Sequence, residues 1–112
     1  PLERQHTMWE TLGVPKPKTR IVFETEYHGP YTVVDVYAPD RVGLLFDIAR
    51  TISEAGATIV LARISTEGLQ AVDAFYLLAS DNHAKLTRVQ MLEIERSILE
   101  VLAVVEQGNK ET

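Results

Sequence analysis

The feature that most constrains the fold is a change in the spacing of apolar residues at positions 39–43. Residues 32–38, before this point, are rich in β-branched side chains and alternate between two faces, which predicts a strand. After it, apolar residues recur at the helical spacing of about 3.6 until Gly56. We expect Asp40 to cap the first turn of this helix and Gly56 to end it in a left-handed conformation. The two faces of the predicted strand consist of Val34, Val36 and Ala38 and of Val33, Asp35 and Tyr37.

The segments on either side of this unit also have the pattern of strands. The remaining predicted strands are residues 20–26, 58–66 and 70–78. The first pairs antiparallel with residues 32–38 through a short turn, and the other two form a hairpin turned by Glu67 and Gly68. The apolar pattern changes parity once within the third strand, which predicts a bulge near Val60 or Leu61.

A second helix completes the predicted architecture. Thr87 and Gln90 have the spacing of a capping box, which predicts the start of an amphipathic helix that ends at Gly108. The order strand, strand, helix, strand, strand, helix predicts an α+β sandwich of ferredoxin-like kind, with a four-stranded antiparallel sheet and two helices on one face. The predicted boundaries are a linker or arm at residues 1–19, the domain at residues 20–107 and a tail at residues 108–112. Because the chain starts at Pro1 without Met, we expect it to be a piece of a longer protein.

Size and charge exclude several classes of protein. A chain of 112 residues has room for one domain and one hydrophobic core. Its net charge of -5 at pH 7 opposes binding to nucleic acid. The sequence contains no cysteine, which excludes disulfides and thiolate metal sites and fits a reducing compartment. With no signal peptide and no apolar run long enough for a membrane span, the sequence predicts a cytoplasmic protein.

The titratable residues do not form a catalytic pattern. His6, His28 and His83 share no spacing that a metal site or a triad requires, so we expect them on the surface. Asp35 and Asp73 lie in the middle of two predicted strands, and if they shared one side of the sheet, like-charge repulsion would raise the pKa of one of them. The favoured interpretation is that both lie on an uncovered face, hydrated or paired with a basic residue such as Arg63. We therefore predict no catalytic residue, no metal and no cofactor, and the chain by itself is predicted not to be an enzyme.

The loop between the second strand and the first helix is the one candidate binding site. A strand that enters a helix through Gly43 leaves several backbone N–H groups directed at one place, and the positive end of the helix dipole adds to their attraction for a small carboxylate. The glycine would allow a ligand to approach closely, while Leu44 and Leu45 would supply N–H groups. On spacing alone, the plainer interpretation is favoured, in which Gly43 only eases a turn and Asp40 only caps the helix.

Two segments resemble a known family. Residues 32–50, TVVDVYAPDRVGLLFDIAR, resemble the signature of ACT domains, which consists of an apolar strand, Asp-Arg-x-Gly-Leu-Leu and a helix. Residues 62–68 and 72–76 resemble the second hairpin of the ACT domains at the C-terminal end of protein-PII uridylyltransferases, enzymes that adjust nitrogen metabolism in response to glutamine. The resemblance extends from position 20 to about position 105, nearly all of the predicted domain.

The order of elements and two positions differ from the usual ACT pattern. The usual order is strand, helix, strand, strand, helix, strand, whereas here the last strand is supplied from the front by residues 20–26, as in related permuted modules of the uridylyltransferase group. Val42 replaces a common proline in the loop, and Gly68-Leu69-Gln70 replaces Gly-Glu-Arg at the hairpin turn. A less restricted loop would bind its ligand more weakly.

The resemblance implies a regulatory module that binds a small amino acid, with glutamine as one candidate. It implies a homodimer in which Ile64 contributes from the partner chain, and a catalytic portion elsewhere in the same longer protein. The implied ligand-binding residues are Asp40, Arg41, Val42, Gly43, Leu44, Leu45 and Ile64. The alternative is a domain that has lost its ligand and serves only for dimerisation or as a scaffold. No nucleic acid or membrane partner is expected.

Overall fold

The structure, a computed structural model, describes residues 8–110. Residues 1–7, which include His6 and the start of the predicted arm, and residues 111–112 of the predicted tail lie outside this description. In chain order the elements are α1 (Met8–Leu12), β1 (Arg20–Phe23), β2 (Thr32–Pro39), α2 (Leu44–Glu54), β3 (Ala57–Arg63), β4 (Thr66–Glu67), β5 (Gln70–Ala79) and α3 (Arg88–Lys110). Within residues 8–110, no helix combines the length and the apolar content needed to cross a membrane.

The strands form one antiparallel sheet in the order β1, β2, β5, β3, and the two-residue β4 pairs with β5. This arrangement confirms the predicted α+β, ferredoxin-like sandwich, with β4 as a small addition at the hairpin. Helices α2 and α3 pack against each other, and their apolar faces share one core with a single face of the sheet. The buried core residues include Val34 and Val36 of β2, Ile48 of α2, Phe75 of β5 and Ile94 of α3.

The local features that the sequence predicts are present at three points. The pairing of β3 with β5 shifts register between Ile59 and Leu61, which confirms the bulge. Gly56 has a φ of +95° after the last turn of α2, as a left-handed helix terminator requires. In the capping box that opens α3, the side chain of Gln90 accepts the backbone N–H of Thr87 at 2.7 Å. The side chain of Thr87 accepts the backbone N–H of Gln90 at 3.1 Å.

The predicted end of the second helix at Gly108 is wrong, because α3 continues to Lys110. A glycine ends a helix only when it adopts a left-handed conformation, and one that keeps helical dihedral angles costs only about 1 kcal/mol relative to alanine. The predicted arm also contains regular structure, since Met8–Leu12 forms the short helix α1.

Asp35 and Asp73 lie on opposite faces of the sheet, so the expectation that they share one side is wrong. Asp73 pairs with Val36 and Asp35 pairs with Ala74. Directly paired residues point to the same face, and successive residues of a strand point to opposite faces. Asp73 therefore points to the helix side with the core residue Val36, whereas Asp35 points to the open side.

Asp35 belongs to a small acidic cluster on the open side. Partial burial, a hydrogen bond to Glu24 and the charge of Glu24 raise the pKa of Asp35 to about 6, and the positive charge of His28 offsets part of this increase. Nε2 of His28 lies 2.7 Å from Oε1 of Glu24, although it is not aligned for a hydrogen bond. The folded protein thus binds a proton at Asp35 more tightly than the unfolded chain does.

We expect Asp35→Asn to be more stable than the wild type at neutral pH. Because folding raises the pKa of Asp35, its bound proton contributes stability below about pH 4. This contribution is lost as the pH rises to about 6. Because solvent screens this partly exposed group, the gain at pH 7.5 should be about 1 kcal/mol and should vanish near pH 4. Urea unfolding of both proteins at the two pH values measures this difference. Asp81→Asn, in an exposed loop, is the matched control, and an Asp35→Asn gain that does not change with pH would contradict the assignment.

Candidate functional site

The loop between β2 and α2 turns at Gly43. The backbone N–H of Asp40 donates to the carbonyl of Leu69 at 2.9 Å, so the chain is still attached to the sheet at that point. Gly43 immediately precedes α2 and has φ of 82° and ψ of -2°. This left-handed conformation is unfavourable for residues with a Cβ atom, which explains the glycine.

The first turn of α2 has no side-chain cap, so the prediction that Asp40 caps it is wrong. The turn at Gly43 separates Asp40 from the helix by three residues, which places its carboxylate beside the helix entrance and not over the first amides. The N–H of Leu44 donates to the carbonyl of Arg41, and that of Asp47 donates to the carbonyl of Gly43.

The N–H groups of Leu45 and Phe46 lie between these two bonded amides. No hydrogen bond links either group to any of residues 10–103. They carry the positive end of the α2 dipole, where an anion is stabilised.

Arg41 holds the loop against the helix. Its Nη2 donates to Oδ2 of Asp47 at 2.8 Å, and its Nη1 donates to the carbonyl of Val42 at 3.0 Å. Arg50 lies on the other side of the same carboxylate, with 3.6 Å between its Nη2 and Oδ1 of Asp47. Since Asp47 neutralises much of the charge of Arg41, the exposed amides of α2 remain the main attraction for an anion.

A hollow of about 370 Å³ opens beside these amides. Its size falls within the range of about 300–1,000 Å³ that is usual for small-molecule pockets. The wall combines the helix entrance, the segment between β3 and β4, and the start of β5. The lining residues are Asp40, Arg41, Gly43, Leu44, Leu45, Phe46, Ile64, Ser65, Thr66, Ala71 and Asp73.

Asp73 is the most deeply buried charged residue of this wall, with 2% of its surface exposed. The backbone N–H of Ser65 donates to its Oδ1 at 3.2 Å. The pKa of Asp73 is raised, chiefly by burial and further by the negative charge of Asp40, although the hydrogen bond from Ser65 opposes these effects. A carboxylate at this position is therefore largely removed from water and has an incomplete set of donors.

Six of the seven predicted ligand-binding residues contribute to the cavity wall. Val42 does not, because its side chain projects into solvent and is 98% exposed. Ile64 reaches the cavity within its own chain, whereas the sequence suggested a contribution from a partner chain. The structure thus brings the loop and Ile64 together around one hollow.

Sequence reasoning missed the remaining five lining residues, of which Asp73 is the most informative. In β5 the residues at odd positions from 71 to 79 are all buried, and Phe75 and Leu77 share this parity with Asp73. The alternation of apolar residues therefore contained the signal that Asp73 points to the core. Phe46, Ser65, Thr66 and Ala71 complete the set that the sequence did not single out.

The lining of the hollow is suited to binding a small polar molecule. The lining of the hollow includes both the residues that carry the free amide donors and the carboxylates of Asp40 and Asp73, so the site offers complementary charges to a zwitterion. Among residues 8–110, no group of three or more His, Asp or Glu residues is placed to hold a metal ion.

Fold and site together define a small α+β domain with a pocket for a compact polar ligand at a strand-to-helix loop. The family model for ACT domains matches residues 32–102, which is more than half of the chain. The chain therefore belongs to the ACT domain family, whose members are regulatory and not catalytic. The resemblance seen in the sequence is confirmed.

Several similar proteins are bifunctional uridylyltransferase/uridylyl-removing enzymes. The enzyme from Phenylobacterium zucineum is 39% identical over 92 residues, which cover 82% of this chain and 10% of the relative. The enzyme from Ruegeria pomeroyi is 44% identical over 59 residues, or 53% of this chain and 6% of the relative. That from Cupriavidus metallidurans is 32% identical over 91 residues, or 78% of this chain and 10% of the relative. The chain thus spans about one tenth of the length of such enzymes.

Proposed function

We propose that this domain binds a small amino acid in the hollow at the start of α2 and thereby regulates a catalytic portion of the same longer protein. The observation that carries the proposal is the pair of N–H groups of Leu45 and Phe46, which have no hydrogen-bond partner within residues 10–103 and lie where the hollow opens. Such amides at a helix N-terminus are a common binding site for a carboxylate.

The uridylyltransferase relatives give the proposal its biological setting. These relatives are enzymes with both uridylyltransferase and uridylyl-removing activity. A sensor of amino-acid supply is a suitable control element for two opposed activities. Glutamine is our first candidate because its carboxylate, ammonium and amide groups match the mixed polar wall of the hollow. We place the protein in the cytoplasm, as its sequence lacks cysteine.

Isothermal titration of the 112-residue chain with each of the twenty amino acids tests the proposal. We expect saturable binding of one or a few amino acids, with glutamine among them, and competition between those that bind. Acetate and methylamine, which each offer only one of the two charges, serve as controls and should bind much more weakly. No heat of binding with any amino acid, in a chain that circular dichroism shows to be folded, would contradict the sensor function.

A second candidate function is a dimerisation module without a ligand, and the outer edge of β3 favours it. Within the described residues β3 pairs on one side only, with β5, and its side chains Val60 and Leu61 are about half exposed. An unpaired strand edge with apolar side chains is stabilised when a second copy covers it. We therefore propose a homodimer through this edge under either function. Sedimentation equilibrium distinguishes the two: a dimer together with silent titrations supports the scaffold alone.

A further inference from the structure

Asp73 lies in the wall of the hollow with an incomplete set of hydrogen bonds. Its Oδ1 accepts the N–H of Ser65, and no donor among residues 10–103 reaches its Oδ2. Within residues 10–103, the side-chain polar atom that is fully enclosed without a hydrogen-bond partner is Nε2 of His28, and Oδ2 of Asp73 is not in this class. Oδ2 of Asp73 is therefore not sealed inside the protein, and the opening that it retains is the hollow that Asp73 lines.

A carboxylate in this position is costly for the fold. Burying a charged group without full pairing destabilises a protein, and sequences tolerate it mainly where the charge has a function. The negative charge of Asp40 nearby adds to the cost. Asparagine or threonine would satisfy Ser65 as well, so the bond to Ser65 does not account for a carboxylate here. A cationic group in the hollow would supply the missing donor and the missing charge.

We propose that Oδ2 of Asp73 accepts a hydrogen bond from the ammonium group of the bound amino acid, and that this contact makes the hollow select α-amino acids over carboxylates that lack a cation. The inference rests on the proposed function, because it assigns a role within the same site. The amides of Leu45 and Phe46 would bind the carboxylate of the ligand while Asp73 binds its ammonium. Asp40, which is exposed at the rim, has water as an alternative partner and is the weaker candidate.

The test compares two ligands and two proteins. One ligand is the amino acid that binds most tightly in the titrations, and the other is the same molecule with hydrogen in place of its amino group, which for L-glutamine is glutaramate. We expect the wild type to bind the amino acid at least about tenfold more tightly than the analogue, as loss of one charged hydrogen bond implies. In Asp73→Asn the affinity for the amino acid should fall by at least about tenfold, while that for the analogue should change little.

Two controls keep a structural effect apart from a binding effect. Asp73→Asn retains an oxygen for the N–H of Ser65 and removes a buried charge, so its stability to urea should equal or exceed that of the wild type. Asp81→Asn, in an exposed loop, should leave both affinities unchanged. If Asp73→Asn does not fold, the wild-type affinities for the amino acid and for the analogue provide the test. Equal affinities for the two ligands would overturn the inference.

The failure of this inference is distinguishable from the failure of the proposed function. If the wild type binds an amino acid but binds the analogue equally well, or if Asp73→Asn keeps the wild-type affinity, Asp73 does not recognise the ammonium and the sensor function stands. If the folded wild type binds no amino acid, both proposals are overturned.

Discussion

Replacing Gly43 by valine is expected to abolish amino-acid binding and to destabilise the domain. Gly43 has φ of 82° and ψ of -2°, a region that a β-branched residue occupies only with strain of about 1–3 kcal/mol. An added Cβ would meet only Nη1 of Arg41, at an ordinary contact distance of 3.6 Å, so the backbone and not crowding is the source of the strain. A loop that relieves this strain by changing its backbone dihedral angles also changes the orientation of the N–H groups of Leu45 and Phe46, which follow Gly43 directly.

Gly43→Asn is the matched control for this experiment. Asparagine tolerates the left-handed region better than other residues with a Cβ, so this variant should keep most of the stability and a measurable affinity. In Gly43→Val the affinity for the tightest-binding amino acid should fall by about 100-fold or more, equivalent to about 3 kcal/mol. Titration and urea unfolding of the two variants give both quantities. Wild-type affinity in Gly43→Val would show that the ligand site lies elsewhere.

The order of the elements could be predicted because local patterns and global packing agree in this chain. The alternation in residues 32–38, the glycine at position 56 and the capping box at Thr87 each specify a conformation through nearby residues. Even the bulge in β3 was visible, because one extra residue reverses the parity of apolar positions. Each of these features is encoded within about ten residues of sequence.

The errors arose where the outcome depends on distant residues. The face on which Asp73 lies depends on its pairing with Val36 of another strand, and a buried carboxylate contradicts the usual rule that strand acids face solvent. The cap of α2 depends on where the chain leaves the sheet, which is set by the bond between Asp40 and Leu69. Spacing along the sequence contains no information about that bond, and the parity that Asp73 shares with Phe75 and Leu77 was outweighed by the rule about strand acids.

The candidate site was predictable in part for the same reason. Its loop residues are contiguous, so their spacing revealed a helix entrance with free amides. Ser65 and Asp73 come from the opposite hairpin and join the loop only when β5 pairs with β2. The parity of β5 indicates the face on which Asp73 lies, but only the register of the sheet brings its carboxylate beside the loop.

Replacing Phe75 by alanine should cause the largest loss of stability in the chain. Phe75 is fully buried between the sheet and the two long helices, in one cluster with Ile48 and Ile94. Removal of a buried phenylalanine side chain leaves a cavity and costs about 3–5 kcal/mol. Since domains of this size are stable by about 5–15 kcal/mol, the variant should melt at least about 12 °C lower or remain partly unfolded at 25 °C.

Phe46→Ala is the matched control, because Phe46 is 66% exposed and its side chain is not part of the core. Its effect on the free energy of unfolding should stay within about 0.5 kcal/mol. Thermal and urea unfolding of both variants measure the contrast, and a small loss of stability in Phe75→Ala would contradict the core described here.

Phe75 and Asp73 share one face of β5, two residues apart. The same packing that stabilises the domain thus fixes the position of the carboxylate, and Phe75→Ala should weaken amino-acid binding even at temperatures where the chain stays folded.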